Sequence, residues 1–172
     1  MNQKTLIGGA IGVVVAAVLL LSTLFTVHQT EQMLVVQFGK PVRVITEPGL
    51  HAKIPFIQNT ISFDRRLLDY EGTGEEVILA DQRRLIVDTF TRFRITDPLE
   101  YYQTVGFGEA AIRARLSSIV PSALRRVLGN EPLLAVLSAD RTRIMADIRD
   151  NVDREARRFG VAIEDVRIRR TD

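Results

Sequence analysis

Hydrophobic positions along the chain follow three regimes in turn. From Leu6 to Val27 there is no charged residue, and thirteen of these 22 positions are Leu, Ile, Val or Phe. As a helix the run is about 33 Å long at ~1.5 Å per residue, close to the hydrocarbon thickness of a bilayer. It predicts a transmembrane anchor over residues 6–27 behind a short tail, residues 1–5. A cleaved secretory signal fits less well, because its apolar run is shorter and Ser22 to His28 offers no A-x-A-like site.

From Gln32 to Ile95 the period is 2. Gln32 to Phe38 and Lys40 to Ile45 predict two short strands about Gly39, and Ile61 and Phe63 alternate with Ser62 and Asp64 in a third. Glu47-Pro48-Gly49 predicts a type II turn. Pro55 confines the apolar stretch Leu50 to Ile57 to an edge or a bend. Glu71-Gly72-Thr73-Gly74 predicts another turn, and Val77 and Leu79 then share a face. The clearest pattern puts Leu85, Val87, Thr89, Thr91, Phe93 and Ile95 on one side and Asp88, Arg92 and Arg94 on the other. It predicts a long strand with one wet face and antiparallel neighbours.

At Asp97-Pro98 the period changes to 3.6, with Asp97 as N-cap and Pro98 at the first helical position of a short helix through Tyr101 and Tyr102. Glu109 to Leu128 predicts a helix with Ile112, Leu116, Ile119, Ala123, Val127 and Leu128 inward, kinked or divided at Pro121 and ended by Gly129. Arg141 to Phe159 predicts another, with Ile144, Ile148, Val152 and Phe159 inward and Gly160 as its cap. In the final strand Val161 and Ile163 lie on one parity and Val166 and Ile168 on the other, so a bulge near Glu164-Asp165 is needed to bring both pairs to one face. The fold class predicted is α+β: a single N-terminal transmembrane helix, then a mostly antiparallel sheet with packed helices over residues 28–172.

Charge changes this picture only in detail. Outside the tail, 22 basic side chains face 21 acidic ones, so the high pI reflects arginine usage and gives no footprint for nucleic acid. The absence of cysteine excludes disulfides and thiolate chemistry and suits an oxidising compartment. A tail holding only Lys4 favours a cytoplasmic N-terminus and a body outside, although Lys40 and Arg43 on the far side weaken the positive-inside argument. Gly8, Gly12 and Ala16 recur at four-residue spacing, a stripe on which a second membrane helix can pack.

Candidate chemistry is sparse. His28 and His51 are far apart in sequence, Ser117 and Ser118 fall inside a helix without a G-x-S-x-G or S-x-x-K pattern, and no glycine loop is followed by a helix and Lys. Asp69, Glu71, Glu75 and Glu76 match no calcium loop and read as a solvated loop. No catalytic, cofactor-binding or metal-ligating residue is assigned. A membrane-anchored hydrolase using Ser117 or Ser118 with His51 is the rival reading. Leu50, Lys53, Ile54, Phe56 and Ile57 follow the anchor closely, which makes them candidates for the membrane interface, with apolar groups dipping in and Lys53 reaching headgroups.

The runs EPGLHAKIPF (Glu47 to Phe56), FDRR (Phe63 to Arg66), RRLIVDTFTRFRITDPLEYY (Arg83 to Tyr102) and GVAIEDVRIRRTD (Gly160 to Asp172) together resemble the SPFH, or band 7 and prohibitin-like, family. The resemblance implies an SPFH domain on the periplasmic side of a bacterial inner membrane, its first subdomain held against the lipid bilayer. It further implies assembly with an HflK-like partner subunit into a large homo- or hetero-oligomer that modulates the membrane AAA+ protease FtsH, with no cofactor and no hydrolysis of its own. The short tail is unlike the longer, glycine-rich tail of HflK. A stomatin-like organiser of lipid domains is the alternative within the family. Family members continue into a helical coiled coil, so a chain ending on a strand at Asp172 reads as truncated.

Overall fold

The computed structural model describes residues 14, 16–18, 21–138 and 140–171, and these form two compact units that divide between Asp64 and Arg65. The first unit is built from five short strands: β1 Leu24–Val27, β2 Glu31–Gln37, β3 Lys40–Ile45, β4 Gly49–Ala52 and β5 Gln58–Asp64. β1 and β4 pair as a two-stranded ribbon, and β3-β2-β5 form an antiparallel sheet. Val27, Val35 and Ile45 make a small core with Phe25 and Met33 packed against it.

The apolar N-terminal run ends as a helix earlier than its hydropathy predicts. Helical backbone at residues 21–23 passes directly into β1, so Leu24–Val27 is strand, where the predicted span continued as helix to Val27. Hydropathy cannot separate the two states. Phe25, Thr26 and Val27 favour a pleated surface, and β4 supplies the partner for it. Among the described residues no helix is long and apolar enough to cross a membrane. Much of the predicted span from Leu6, with Gly8 and Gly12, lies outside the described residues; Ala16 is helical and exposed.

The second unit lays helices on one face of an antiparallel sheet ordered β6-β7-β8, with β6 Leu68–Ile78, β7 Arg84–Ile95 and β8 Val161–Thr171. Between β7 and β8 the chain forms α1 Pro98–Thr104, α2 Glu109–Leu128, α3 Leu133–Leu137 and α4 Arg141–Ala156, and a 3-10 turn over Arg157–Phe159 follows α4. The six inward residues of β7 are all buried, as are Val77, Leu79, Val161, Ile163, Val166 and Ile168. From the helices come Ile112, Leu116, Val120 and Leu124 of α2 and Ile144, Ile148 and Val152 of α4.

Several elements match the pattern that predicts them. Asp97 caps α1 by accepting from the N–H groups of Leu99 and Glu100 at 2.9 and 3.0 Å. The bulge in β8 falls at Glu164, since Ile163 faces Phe93 and Asp165 faces Arg92. A second bulge at Arg169 has no counterpart in the hydrophobic pattern, because it lies beyond the last buried residue.

Three expectations are corrected. Gly72-Thr73-Gly74 is no turn; β6 runs straight through it, with Thr73 and Gly74 bulged opposite Asp88, whose carboxylate accepts the Gly74 N–H at 2.8 Å. Gly74 supplies the positive φ of +68° that the bulge requires. Pro121 does not divide α2, which continues through it; the ring is buried, and Ser122 Oγ donates to the Ser118 carbonyl. Ala156 is buried, whereas Phe159 stays half exposed with Arg115 stacked 5.6 Å from its ring centre.

At the free edge of β8, Asp153 accepts the Ile163 N–H and Arg141 donates to the Ile168 carbonyl, each at 2.9 Å. Helix side chains thus occupy backbone groups that otherwise invite strand pairing. Inside the sheet, Thr91 Oγ1 is fully buried and has no hydrogen-bond partner among the described residues. Thr91→Val keeps the shape and removes that orphaned oxygen. It is expected to be neutral or to stabilise by about 1 kcal/mol, read as the midpoint of urea unfolding. A loss of similar size would show that the hydroxyl is satisfied.

Candidate functional site

The apolar surface of the first unit is organised by register. In the β1–β4 ribbon Leu24 faces Ala52 and Thr26 faces Leu50, so these four share a side; Phe25, Val27 and His51 take the other and include the core residue Val27. Leu24 and Leu50 are left in solvent, Leu50 being 66% exposed. His51 is held by a 2.9 Å contact from its Nε2 to the Glu47 carbonyl and lies 6.1 Å from the Phe25 ring.

After β4 the chain makes a closed loop over Lys53 to Ile57. Gln58 fastens it twice: its N–H donates to the Ile54 carbonyl at 3.0 Å, and its side-chain oxygen accepts the Ile54 N–H at 2.9 Å. The same amide reaches Gln37 across the sheet at 3.2 Å. Pro55, Phe56 and Ile57 project from this clasp. Phe56 is 87% exposed and has φ +65°, a backbone state unfavourable for an aromatic residue.

A second phenylalanine does the same. Phe38 and Gly39 form the two-residue connection between β2 and β3, with φ of +50° and +78°, the signs of a type I′ turn. Asn or Asp is the favoured residue at that first position; Phe38 sits there 82% exposed. Gln37 faces Gln58 in the β2–β5 register, so the Phe38 turn and the Phe56 loop lie at the same end of the sheet. The helical backbone also stops there, since the Lys53 N–H donates to the carbonyl of Thr23, the last helical residue, at 2.8 Å. One end of the unit therefore carries two strained, exposed phenylalanines, Ile54, Ile57 and the exit of the apolar helix. Strain of this kind persists where an arrangement is used.

All five residues read as interfacial, Leu50, Lys53, Ile54, Phe56 and Ile57, belong to this unit; the four apolar ones are exposed and Lys53 is half buried. Sequence reasoning missed Phe38, Leu24 and Val42. The available signal for Phe38 was an aromatic residue where a hairpin turn wants Asn-Gly. Val42 is the extra residue of a bulge, its neighbours Arg43 and Pro41 facing Val35 and Val36.

The hydrolase residues fall in different units. His51 is on β4, whereas Ser117 and Ser118 are on α2, where Ser117 Oγ donates to the Ala114 carbonyl at 2.8 Å. The acidic residues read as a solvated loop are instead on β6, each against an arginine: Asp69 with Arg92, Glu71 with Arg169, Glu75 with Arg125 and Glu76 with Arg84. Exposed pairs of this kind contribute little stability individually. Among the described residues no group of three or more His, Cys, Asp or Glu is arranged to hold a metal ion. Tyr101 is buried, donates to the Gly108 carbonyl at 2.8 Å, and has its phenol pushed up to about 12 by burial, with the Glu109 charge adding.

A model of the SPFH domain / Band 7 family matches residues 25–172. A protein named HflC from Treponema pallidum is 30% identical over 122 residues, 71% of this chain and 37% of that protein. One named modulator of FtsH protease HflC, from Escherichia coli K12, is 28% identical over 145 residues, 80% of this chain and 43% of its own length. Stomatin-1 of Caenorhabditis elegans is 29% identical over 143 residues, with 83% and 42% covered. The chain spans less than half the length of the curated relatives it matches.

Proposed function

The chain belongs to the SPFH domain / Band 7 family, and we propose that it is the membrane-proximal part of a non-catalytic scaffold that modulates an FtsH-like AAA+ protease. The observation that carries this reading is its similarity to the E. coli modulator of FtsH protease over 80% of its length. In this reading residues 6–23 are the anchor, with the N-terminus cytoplasmic and the body periplasmic. The tip formed by Phe38, Ile54, Phe56 and Ile57, with Lys53 among them, rests in the interface, Leu50 lies further along the ribbon opposite Thr26, and Gly8, Gly12 and Ala16 face a neighbouring helix. An anchor ending at Thr23 is about 27 Å long at ~1.5 Å per residue, still near the core thickness of a bilayer.

The scaffold assembles with an HflK-like subunit into a large oligomer around the protease and controls access to it. The chemistry of the second unit supports a structural role: Ser117 is tied to its own helix and the acidic residues of β6 are each matched by an arginine. The similarity to stomatin-1 supports a second reading, a lipid-domain organiser without a protease partner.

Degradation of a membrane-protein substrate of the FtsH-like protease provides the test. Its half-life is expected to change when the gene is deleted and to return to normal when a His51→Ala/Ser117→Ala/Ser118→Ala variant is supplied. An unchanged half-life on deletion removes the modulator role. Failure of that variant to restore it, when the intact protein does so, transfers the claim to the hydrolase reading.

A further inference from the structure

A groove of ≈ 410 Å³ opens beside the clasp, between Arg43 and Lys53, with Val42, Ile54 and Thr23 among its walls and no carboxylate among the described residues lining it. Arg43 is fixed by one hydrogen bond from Nη2 to the Ala52 carbonyl at 2.7 Å, which orients the guanidinium and leaves donors over. The Lys53 backbone N–H holds Thr23, and its ammonium has no hydrogen bond or ion pair among the described residues. Glu47 accompanies Arg43 only in a separate depression with Thr46 and His51. Within this half-apolar groove two cations therefore face no carboxylate among the described residues, which calls for an anion attached to something apolar.

The rest of the unit repeats this polarity. Lys40, Arg43 and Lys53 lie toward the phenylalanine tip, whereas Glu31 and Asp64 face each other at the opposite end of the β2–β5 pair, and Glu47 precedes the ribbon end at Gly49. The depth also fits. Arg43 faces Val35, three residues from Phe38, a distance of about 10 Å at ~3.3 Å per strand residue. Interfacial apolar groups enter the headgroup and acyl boundary by about 5–10 Å. With Phe38 and Phe56 at that boundary and Thr23 at the end of the apolar helix, Arg43 and Lys53 stand at the level of the phosphates.

We propose that this groove binds the headgroup phosphate of an anionic glycerophospholipid in the bilayer, with Arg43 and Lys53 as its ligands. The inference rests on the membrane contact of the first unit and adds what that contact selects: phosphatidylglycerol-like lipids over zwitterionic ones. Val42 and Ile54 then lie against the glycerol and upper acyl segments, which a free phosphate does not offer.

The test uses the full chain reconstituted in phosphatidylcholine nanodiscs containing a minority of phosphatidylglycerol. The lipids that stay with the protein on transfer to mild detergent are then quantified. The expected result is enrichment of phosphatidylglycerol by about fivefold or more. Enrichment is lost in Arg43→Gln/Lys53→Gln and kept in Arg43→Lys and in the charge-matched control Arg84→Gln/Arg92→Gln, all with unchanged far-UV circular dichroism. Equal retention of both lipids by the wild type, or undiminished enrichment in the double glutamine variant, overturns the proposal. Displacement of the bound lipid by excess glycerol 3-phosphate also overturns it, in favour of a soluble phosphate ligand.

A separate readout keeps the underlying membrane contact distinguishable. The chain has no cysteine, so a Phe56→Cys variant carries a single environment-sensitive dye. Blue-shifted emission in nanodiscs without lipid enrichment removes the headgroup site alone. Water-like emission removes the membrane contact on which it rests.

Discussion

Gly160→Ala is expected to destabilise the protein by about 3 kcal/mol or more, the largest effect of any single methyl group added to the second unit. Gly160 closes the 3-10 turn after α4 with φ +68°, a conformation that costs an L-residue ~1–2 kcal/mol by itself. Space is the larger obstacle: a Cβ there would stand 2.3 Å from the Asp97 carbonyl oxygen and 2.9 Å from the Tyr101 nitrogen, both backbone atoms of the first turn of α1. Neither can retreat easily. The Gly160 carbonyl accepts the N–H groups of Thr96 and Asp97 at 2.9 and 3.0 Å, and Asp97 is the cap of α1. One methyl group therefore pushes apart the end of β7, the start of α1 and the end of α4. Urea unfolding of the purified chain followed by circular dichroism is expected to show a much lower midpoint. A midpoint within about 1 kcal/mol of wild type would mean that this junction is looser than described.

Phe93→Ala is expected to cost about 3–5 kcal/mol. Phe93 is fully buried on β7, the central strand, flanked by Leu68 on β6 and Ile163 on β8 in register. Its removal leaves a cavity beneath the helices where β7 is paired on both sides, and backbone hydrogen bonds to β6 and β8 prevent the sheet from closing over it. At ~4–8 °C per kcal/mol for a domain of this size, a drop in melting temperature of at least 12 °C follows. A shift of a few degrees would contradict the assignment of Phe93 to the centre of this core.

The elements with a single uninterrupted period were the legible ones. β7 has one wet and one dry face over its full length, and α4 repeats Ile144, Ile148 and Val152 at helical spacing, so burial alone determines both. The β8 bulge was legible for the same reason: only an extra residue brings Val161, Ile163, Val166 and Ile168 to one face. Local composition misled where long-range pairing decided the outcome. Gly72-Thr73-Gly74 has the residues of a turn, but β7 pairs with both sides of it and makes it a bulge. Leu24–Val27 has the hydropathy of the preceding helix, but β4 claims it as strand.

The candidate site divides along the same line. Leu50 to Ile57 follow the apolar helix in sequence, and their mixture of apolar groups with one lysine marked them. Arg43 was not legible, and the turn position that singles out Phe38 says nothing of that loop, because nothing nearby in sequence links either residue to it. Only the register, with Gln37 opposite Gln58 and Arg43 opposite Val35, gathers them at the same end of the sheet. Leu133–Leu137 was missed because five residues are too few to establish a helical period.

The central claim, a scaffold that acts on a membrane protease through assembly, is tested most directly by isolating the chromosomally encoded protein from mild-detergent membranes and identifying what migrates with it at high mass. The account predicts an HflK-like subunit and an FtsH-like AAA+ protease in the same fraction. A high-mass homo-oligomer containing neither would contradict it and favour the lipid-organising reading instead.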